Sequence, residues 1–205
     1  QQVSAVTGLT LVAPTLEQWC SSYNRLTSLD FSNFVNLDTI ECFLSPTLVR
    51  VNLANTPKLK RACFEDCDLE SLDLSQSPAL EDLRGAQNRY PTIEFGRTGR
   101  QVWHICVRDN PQMTDQAVFA DLTQFPNLSE FFVWNDNQAG ALRLPASSPD
   151  RGVALLADGN HYTSLDLSGS LRNAAATGTV SFRGNQLSRI NIAGCVQITE
   201  LSLEN

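Results

Sequence analysis

The sequence predicts a β-rich solenoid: a right-handed superhelix of about eight coils, with parallel sheets on two faces and one helix-bearing repeat near residues 114–125. Three observations lead there. The first is a short pattern, apolar–x–x–apolar–x–apolar, that fills residues 69–89 twice: as Leu69, Leu72 and Leu74, then as Leu80, Leu83 and Gly85, closing at Asn88. The second is its recurrence at Leu26, Leu37, Leu48, Leu59, Leu69, Leu80, Tyr90 and Val102, in steps of 11, 11, 11, 10, 11, 10 and 12 residues. Two steps make a period of 21 or 22, the range of stacked coils. The third is that the last two apolar places of each unit are two residues apart. On a strand they share one face, and the residues beside them face out. A strand so short cannot bury its face alone, so it must stack on its neighbours along a rod.

Taken in order, residues 1–25 read as an N-terminal cap and 26–205 as a single solenoid domain. Val6 to Val12 alternates loosely and suggests a short strand. Thr15 with Gln18 fits a capping box, and Leu16, Trp19, Cys20 and Tyr23 recur at helical spacing, so a short helix carrying Trp19 is expected to close the first coil. From Leu26 the two half-repeats differ. The first reads L-x-x-L-D-L-S, as in residues 26–32 and 69–75; the second places a polar or small residue at its ninth position, Ser45, Cys67, Asn88 or Asn110. An Asn there turns the chain and bonds backbone groups of the next coil, so Asn88, Asn110, Asn160 and Asn185 are expected to form a structural ladder.

After Val102 the rhythm changes. Thr114 or Asp115 starts a predicted helix that Pro126 ends, in place of one outer strand. Because helices pack at about 8–10 Å and strands at about 4.8 Å, the rod is expected to bend toward the strand side there. The alternation then returns in units at residues 139–144, 152–157, 162–167, 177–182, 187–192 and 198–203.

These residues resemble a known family. Residues 26–203 look like a leucine-rich-repeat protein of the short bacterial type, with nested units close to L-x-x-L-x-C-x-x-N-x-L-x-x-L-D-L. The match is best over 26–95 and 152–203, and departs where Gly85 and Gly152 replace apolar residues and Ser45, Cys67 and Asp136 replace the Asn. The resemblance implies a secreted or surface-attached bacterial protein, extracellular in location, whose role is binding or adhesion and not catalysis.

Composition narrows the partners. The 205 residues are 42% hydrophobic and 18% charged, which is ordinary for a globular chain. The net charge of −7, with no basic stripe denser than Lys58, Lys60 and Arg61, argues against nucleic acid. No apolar run is long enough to span a membrane, and no signal peptide is visible; Gln1 fits either a mature terminus or an internal boundary. A monomer is expected, with end-to-end or edge contacts left open.

Four sets of residues invite chemistry. Asp30, Asn52, Asp73, Glu94, Asp166 and Asn191 share one outward place; they offer a cation or a basic partner a row of oxygens, or simply a solvated face that blocks sheet aggregation. Cys42 and Cys67 fall on inward places, while Cys63 and Cys106 face out two coils apart with Arg84 between them, beyond disulfide reach. With six cysteines and two histidines in no metal-binding spacing, neither metal nor cofactor is expected. His104 is placed near Asp82 and Glu130, and His161 beside Asn160, but no nucleophile, hydrolase or metalloprotease motif accompanies them, so an enzyme is the third reading. The fourth set is the expected binding row: Arg84, His104, Glu130, Phe132 and Trp134, with Trp103 at the margin. Aromatics beside charges are enriched at interfaces. A non-enzymatic module that binds a protein or glycan ligand is therefore the first reading, and a structural spacer or adhesin stalk the second.

Overall fold

A computed structural model of the chain describes residues 2–96, 101–113, 119, 121–145, 153–169, 178–196 and 198–204. Among these lie a short helix, α1 (Leu9–Val12), and sixteen strands of two to six residues. In chain order they are β1 (Gln18–Cys20), β2 (Ser28–Asp30), β3 (Thr39–Glu41), β4 (Arg50–Asn52), β5 (Arg61–Cys63), β6 (Leu72–Asp73), β7 (Asp82–Arg84), β8 (Ile93–Glu94), β9 (His104–Cys106) and β10 (Glu130–Phe132). Then come β11 (Ala139–Arg143), β12 (Val153–Leu156), β13 (His161–Asp166), β14 (Gly178–Ser181), β15 (Arg189–Asn191) and β16 (Ile198–Ser202).

The fold is a parallel solenoid with a coil number close to the eight expected. One face is a nine-stranded sheet in the order β1-β3-β5-β7-β9-β10-β12-β14-β16. The second face is not continuous: among the described residues it divides into β2-β4, β6-β8 and β11-β13-β15. Five of its strands, β2, β4, β6, β13 and β15, end at their own fifth-place residues. The Oδ1 atoms of Asp30, Asn52, Asp73, Asp166 and Asn191 accept from the backbone N–H two residues on, at 2.8–3.1 Å, and each such bond turns the chain out of the strand. The core runs between the two faces as one cluster, from Leu26 and Phe31 through Leu83 and Phe131 to Phe182.

One departure from the apolar pattern has a local reason, and the other, Gly152, lies outside the described residues. Gly85 stands where a leucine is expected because the Tyr90 hydroxyl occupies the space a side chain would fill, and donates to the Gly85 carbonyl. The N-terminal stretch is corrected in two places. Residues 9–12 form a helix where a strand is expected, and Trp19 lies in β1 where a helix is expected. Pairing in the sheet decides the second case: Gln18, Trp19 and Cys20 register with Thr39, Ile40 and Glu41, and Trp19 packs edge-on against Phe31 at 5.5 Å. Before it, the Val3 carbonyl accepts from the Arg25 N–H, the Val3 N–H donates to Asn24 Oδ1, and Ala13 is buried.

The helix expected over 114–125 falls mostly outside the described residues, and so does the bend argued from it. What is described is a short 3-10 turn, Leu122–Gln124, capped by Asp121 through the Thr123 N–H. Phe119 and Phe125 enter the core against Phe95.

Candidate functional site

The ladder comes first, because it fixes where the strands end. The Asn88 side chain donates to the carbonyls of Phe64, Gly85 and Ala86 and accepts from the Leu69 N–H. Asn110 accepts from the Asn88 N–H at 3.0 Å and donates to Gly85 and Val107. Asn160 and Asn185 repeat the arrangement, donating to Val133 and Ala157 of the coil before. Ser45 and Cys67 hold the same place with weaker groups: the Cys67 thiol donates to the Cys42 carbonyl, and Ser45 accepts from the Asn24 N–H. Asn24 is a further rung at the start of the rod, one that sequence reasoning missed. Residues 16–24 carry its signal, with Leu16, Trp19, Ser21 and Asn24 at the spacing of Leu37, Ile40, Cys42 and Ser45.

Each rung is preceded by a residue in the left-handed region: Tyr23, Leu44, Asp66, Gln87, Asp109, Asn135, Gly159 and Gly184, with φ between 52° and 66°. This turn swings the chain from the main sheet toward the second face, and it leaves the outer side of the main sheet clear.

On that outer side the register assembles two rows. Arg61, Asp82, His104 and Glu130 stand side by side, and so do Cys63, Arg84, Cys106 and Phe132. The centre is Asp82, which is 3% exposed although it faces outward. Its carboxylate accepts from Arg61 Nε at 3.0 Å, from Arg84 Nε at 3.2 Å and from His104 Nδ1 at 2.5 Å. Burial alone would raise the Asp82 carboxyl; the His104 hydrogen bond and the charges of His104 and Arg84 outweigh it and bring it to about 2. Glu130 approaches the other ring nitrogen of His104 at 3.7 Å.

Around this polar centre runs a chain of rings. Trp103 lies 5.4 Å from His104, His104 lies 5.6 Å from Phe132, and Phe132 lies 6.0 Å from Trp134. The Arg108 guanidinium sits 5.3 Å over the Trp134 ring and bonds Asp109 at 2.8 Å. Of the expected binding residues, Arg84, Glu130, Phe132 and Trp134 are part-exposed, whereas His104 is closed over to 4%. His104 thus lies beneath the surface, wedged between Asp82, Glu130 and the rings beside it.

The other candidate sets are accounted for by local structure. Asp30, Asp73 and Asp166 each commit one oxygen to the turn bonds described above, and these bonds lower Asp30 and Asp166 through Ser32 and Ser168. Cys63 and Cys106 flank Arg84 across two strand steps, and burial pushes their thiols up to about 12 and about 11, away from thiolate chemistry. His161 is exposed and meets Gln186 at 3.2 Å. Among the described residues no group of three His, Cys, Asp or Glu side chains is placed to hold a metal ion, and no helix is long and apolar enough to cross a membrane.

No protein-family model matches the sequence, and a search of curated proteins returns no match. The fold itself has a solved counterpart. The chain is similar to the functional domain of InlJ from Listeria monocytogenes, a structure described as including a cysteine ladder, with a TM-score of 0.59 over 96% of this chain at 17% identity. This chain spans 52% of that structure. The likeness identifies the architecture as a leucine-rich-repeat solenoid.

Proposed function

We propose that the chain is a non-enzymatic binding module that takes a protein ligand on the outer side of its nine-stranded sheet. One observation carries the reading: an unbroken run of ring contacts, Trp103–His104–Phe132–Trp134 with Arg108 on the last ring, on the side of a sheet that faces solvent. Rings, arginines and a rigid flat support are the make-up of interface centres. The buried Asp82 supplies the rigidity, because Arg61, Arg84 and His104 are all tied to one carboxylate. A spacer needs no such arrangement, and an enzyme needs a nucleophile or an activated water that these residues do not offer. The solenoid counterpart and the absence of catalytic grouping among the described residues support binding over catalysis, and an extracellular or surface location accompanies that reading.

The test is a panel of Arg84→Glu, Phe132→Ala and Trp134→Ala screened against candidate protein and glycan ligands. Removing either ring is expected to weaken protein binding by about tenfold or more, as truncation of a central anchor does. Unchanged affinity in all three variants, or a ligand held only by glycan contacts, would overturn the reading.

A further inference from the structure

Seven of the eight rungs carry a side chain that can donate as it stands. Asp136 is the exception. It is fully buried in the rung between Asn110 and Asn160. Its Oδ1 accepts the Asn110 N–H at 2.6 Å, as Asn110 Oδ1 accepts that of Asn88. Its own N–H is taken by Asn160 Oδ1 at 3.0 Å, so the backbone of the rung is in order. Its second oxygen, Oδ2, is buried with no partner. In the asparagine rungs the matching atom is the amide nitrogen, which donates to carbonyls three and two residues back and to the strand-end carbonyl of the preceding coil. A second acceptor placed where four neighbours put a donor would meet carbonyl oxygens with no proton between them.

We propose that Asp136 is a protonated rung: its side chain closes the ladder as a carboxylic acid, and loss of its proton loosens the turn between β10 and β11. The bond that breaks is the O–H of the carboxyl, its proton passing to water or hydroxide, and the charge left behind has no donor at Oδ2. The groups around it favour the neutral form. Burial raises the Asp136 carboxyl to about 8; the Asn110 N–H and, more weakly, Arg108 pull against this, and Asp109 adds to it. The remaining ionisable neighbours are the phenols of Tyr90 and Tyr162, both buried and both pushed up further by a charge on Asp136.

The sign follows from linkage. The folded carboxyl holds its proton at a pH where the unfolded one has lost it, so folding takes up about one proton per chain between about pH 4 and pH 8. Stability from this rung is complete below about pH 4, declines across that window, and levels off above it. The same turn carries Trp134, whose carbonyl accepts the Asp109 N–H at 2.9 Å. If the face proposed above binds a ligand, its hold on Trp134 is therefore set by pH; that clause rests on the proposed function, and the proton uptake does not.

The experiment compares the chain with Asp136→Asn by chemical denaturation at pH 5, 7 and 9, with no ligand present. Asn supplies the missing donor, so the variant is expected to gain on the parent as pH rises, with the difference growing up to about pH 8 and flat beyond it. Parallel profiles would overturn the proposal. Should the variant fail to fold, the ¹³C shift of the Asp136 carboxyl in the parent decides instead: a midpoint near 8 supports a protonated rung, and one in the ordinary carboxylate range, near 4, overturns it. Binding is then measured on the same two proteins, and its failure alone counts against the proposed face, not the rung.

Discussion

Asn88 shows what a single rung does. Its side chain satisfies carbonyls at the ends of two coils and one amide, all buried, so Asn88→Ala leaves several polar groups without partners at once. A cost of about 3 kcal/mol or more is expected, measured by urea unfolding. Asp82 makes the complementary case on the outer face. Its carboxyl is depressed in the fold, so the stability it confers is present above about pH 4 and is lost as pH falls through about 2. Asp82→Asn should flatten the acid limb of the stability profile and free Arg61 and Arg84 to move; an unchanged acid limb would show that the carboxylate is not what holds them. The place of Asn88 was legible from its position in the repeat, whereas the opposite titration of Asp82 and Asp136 was not. Asp82 and Asp136 are both buried aspartates, yet the Asp82 carboxylate meets three side-chain donors and the second oxygen of Asp136 meets none. That difference is set by which neighbours the coil geometry brings within reach.

At the scale of strands and turns, the repeat was readable wherever leucine marks the inward places, because a period of 21 or 22 and an alternation of two leave little freedom. It was lost at the first coil, where Trp19 replaces leucine and a helical spacing competes. Pairing with Ile40 overrides that local preference, since a strand edge left open costs more than a weak helix gives. Trp19→Ala should therefore act on the sheet, with hydrogen exchange showing early loss of protection in β1 and β3; protection lost only before residue 16 would contradict this. The column of left-handed residues makes a second test. Leu44 pays for φ 52° with a side chain that is 39% exposed, while Gly159 and Gly184 hold the same place at no steric cost. Leu44→Gly is expected to raise stability by up to about 1 kcal/mol in thermal unfolding. The discontinuous second face was not legible, because the repeat pattern runs through its breaks unchanged.

For the molecule as a whole, each strand pairs only with strands of the coils before and after it, so stability is transmitted along the rod largely step by step. A weak rung at the middle should divide that transmission. Asn88→Ala is expected to split a single unfolding transition into two, with the coils up to β7 and those from β9 onward melting apart; one sharp transition would show that the shared core alone couples them. The same one-dimensional order leaves the outer side of the main sheet as a single panel, and its chemistry is concentrated between β5 and β10.

The ring held under Arg108 has a practical consequence. The chain has three tryptophans, and two of them, Trp103 and Trp134, border that panel, while Trp19 lies at the far end of the sheet. The Trp134 indole lies against a guanidinium and the Trp103 indole against an imidazole, and each emits differently once that neighbour is displaced. Molecules landing on the panel should thus change the protein's own ultraviolet emission. A Trp19→Phe background would isolate the two reporters, so an unlabelled library can be screened by the colour and intensity of light from the molecule itself.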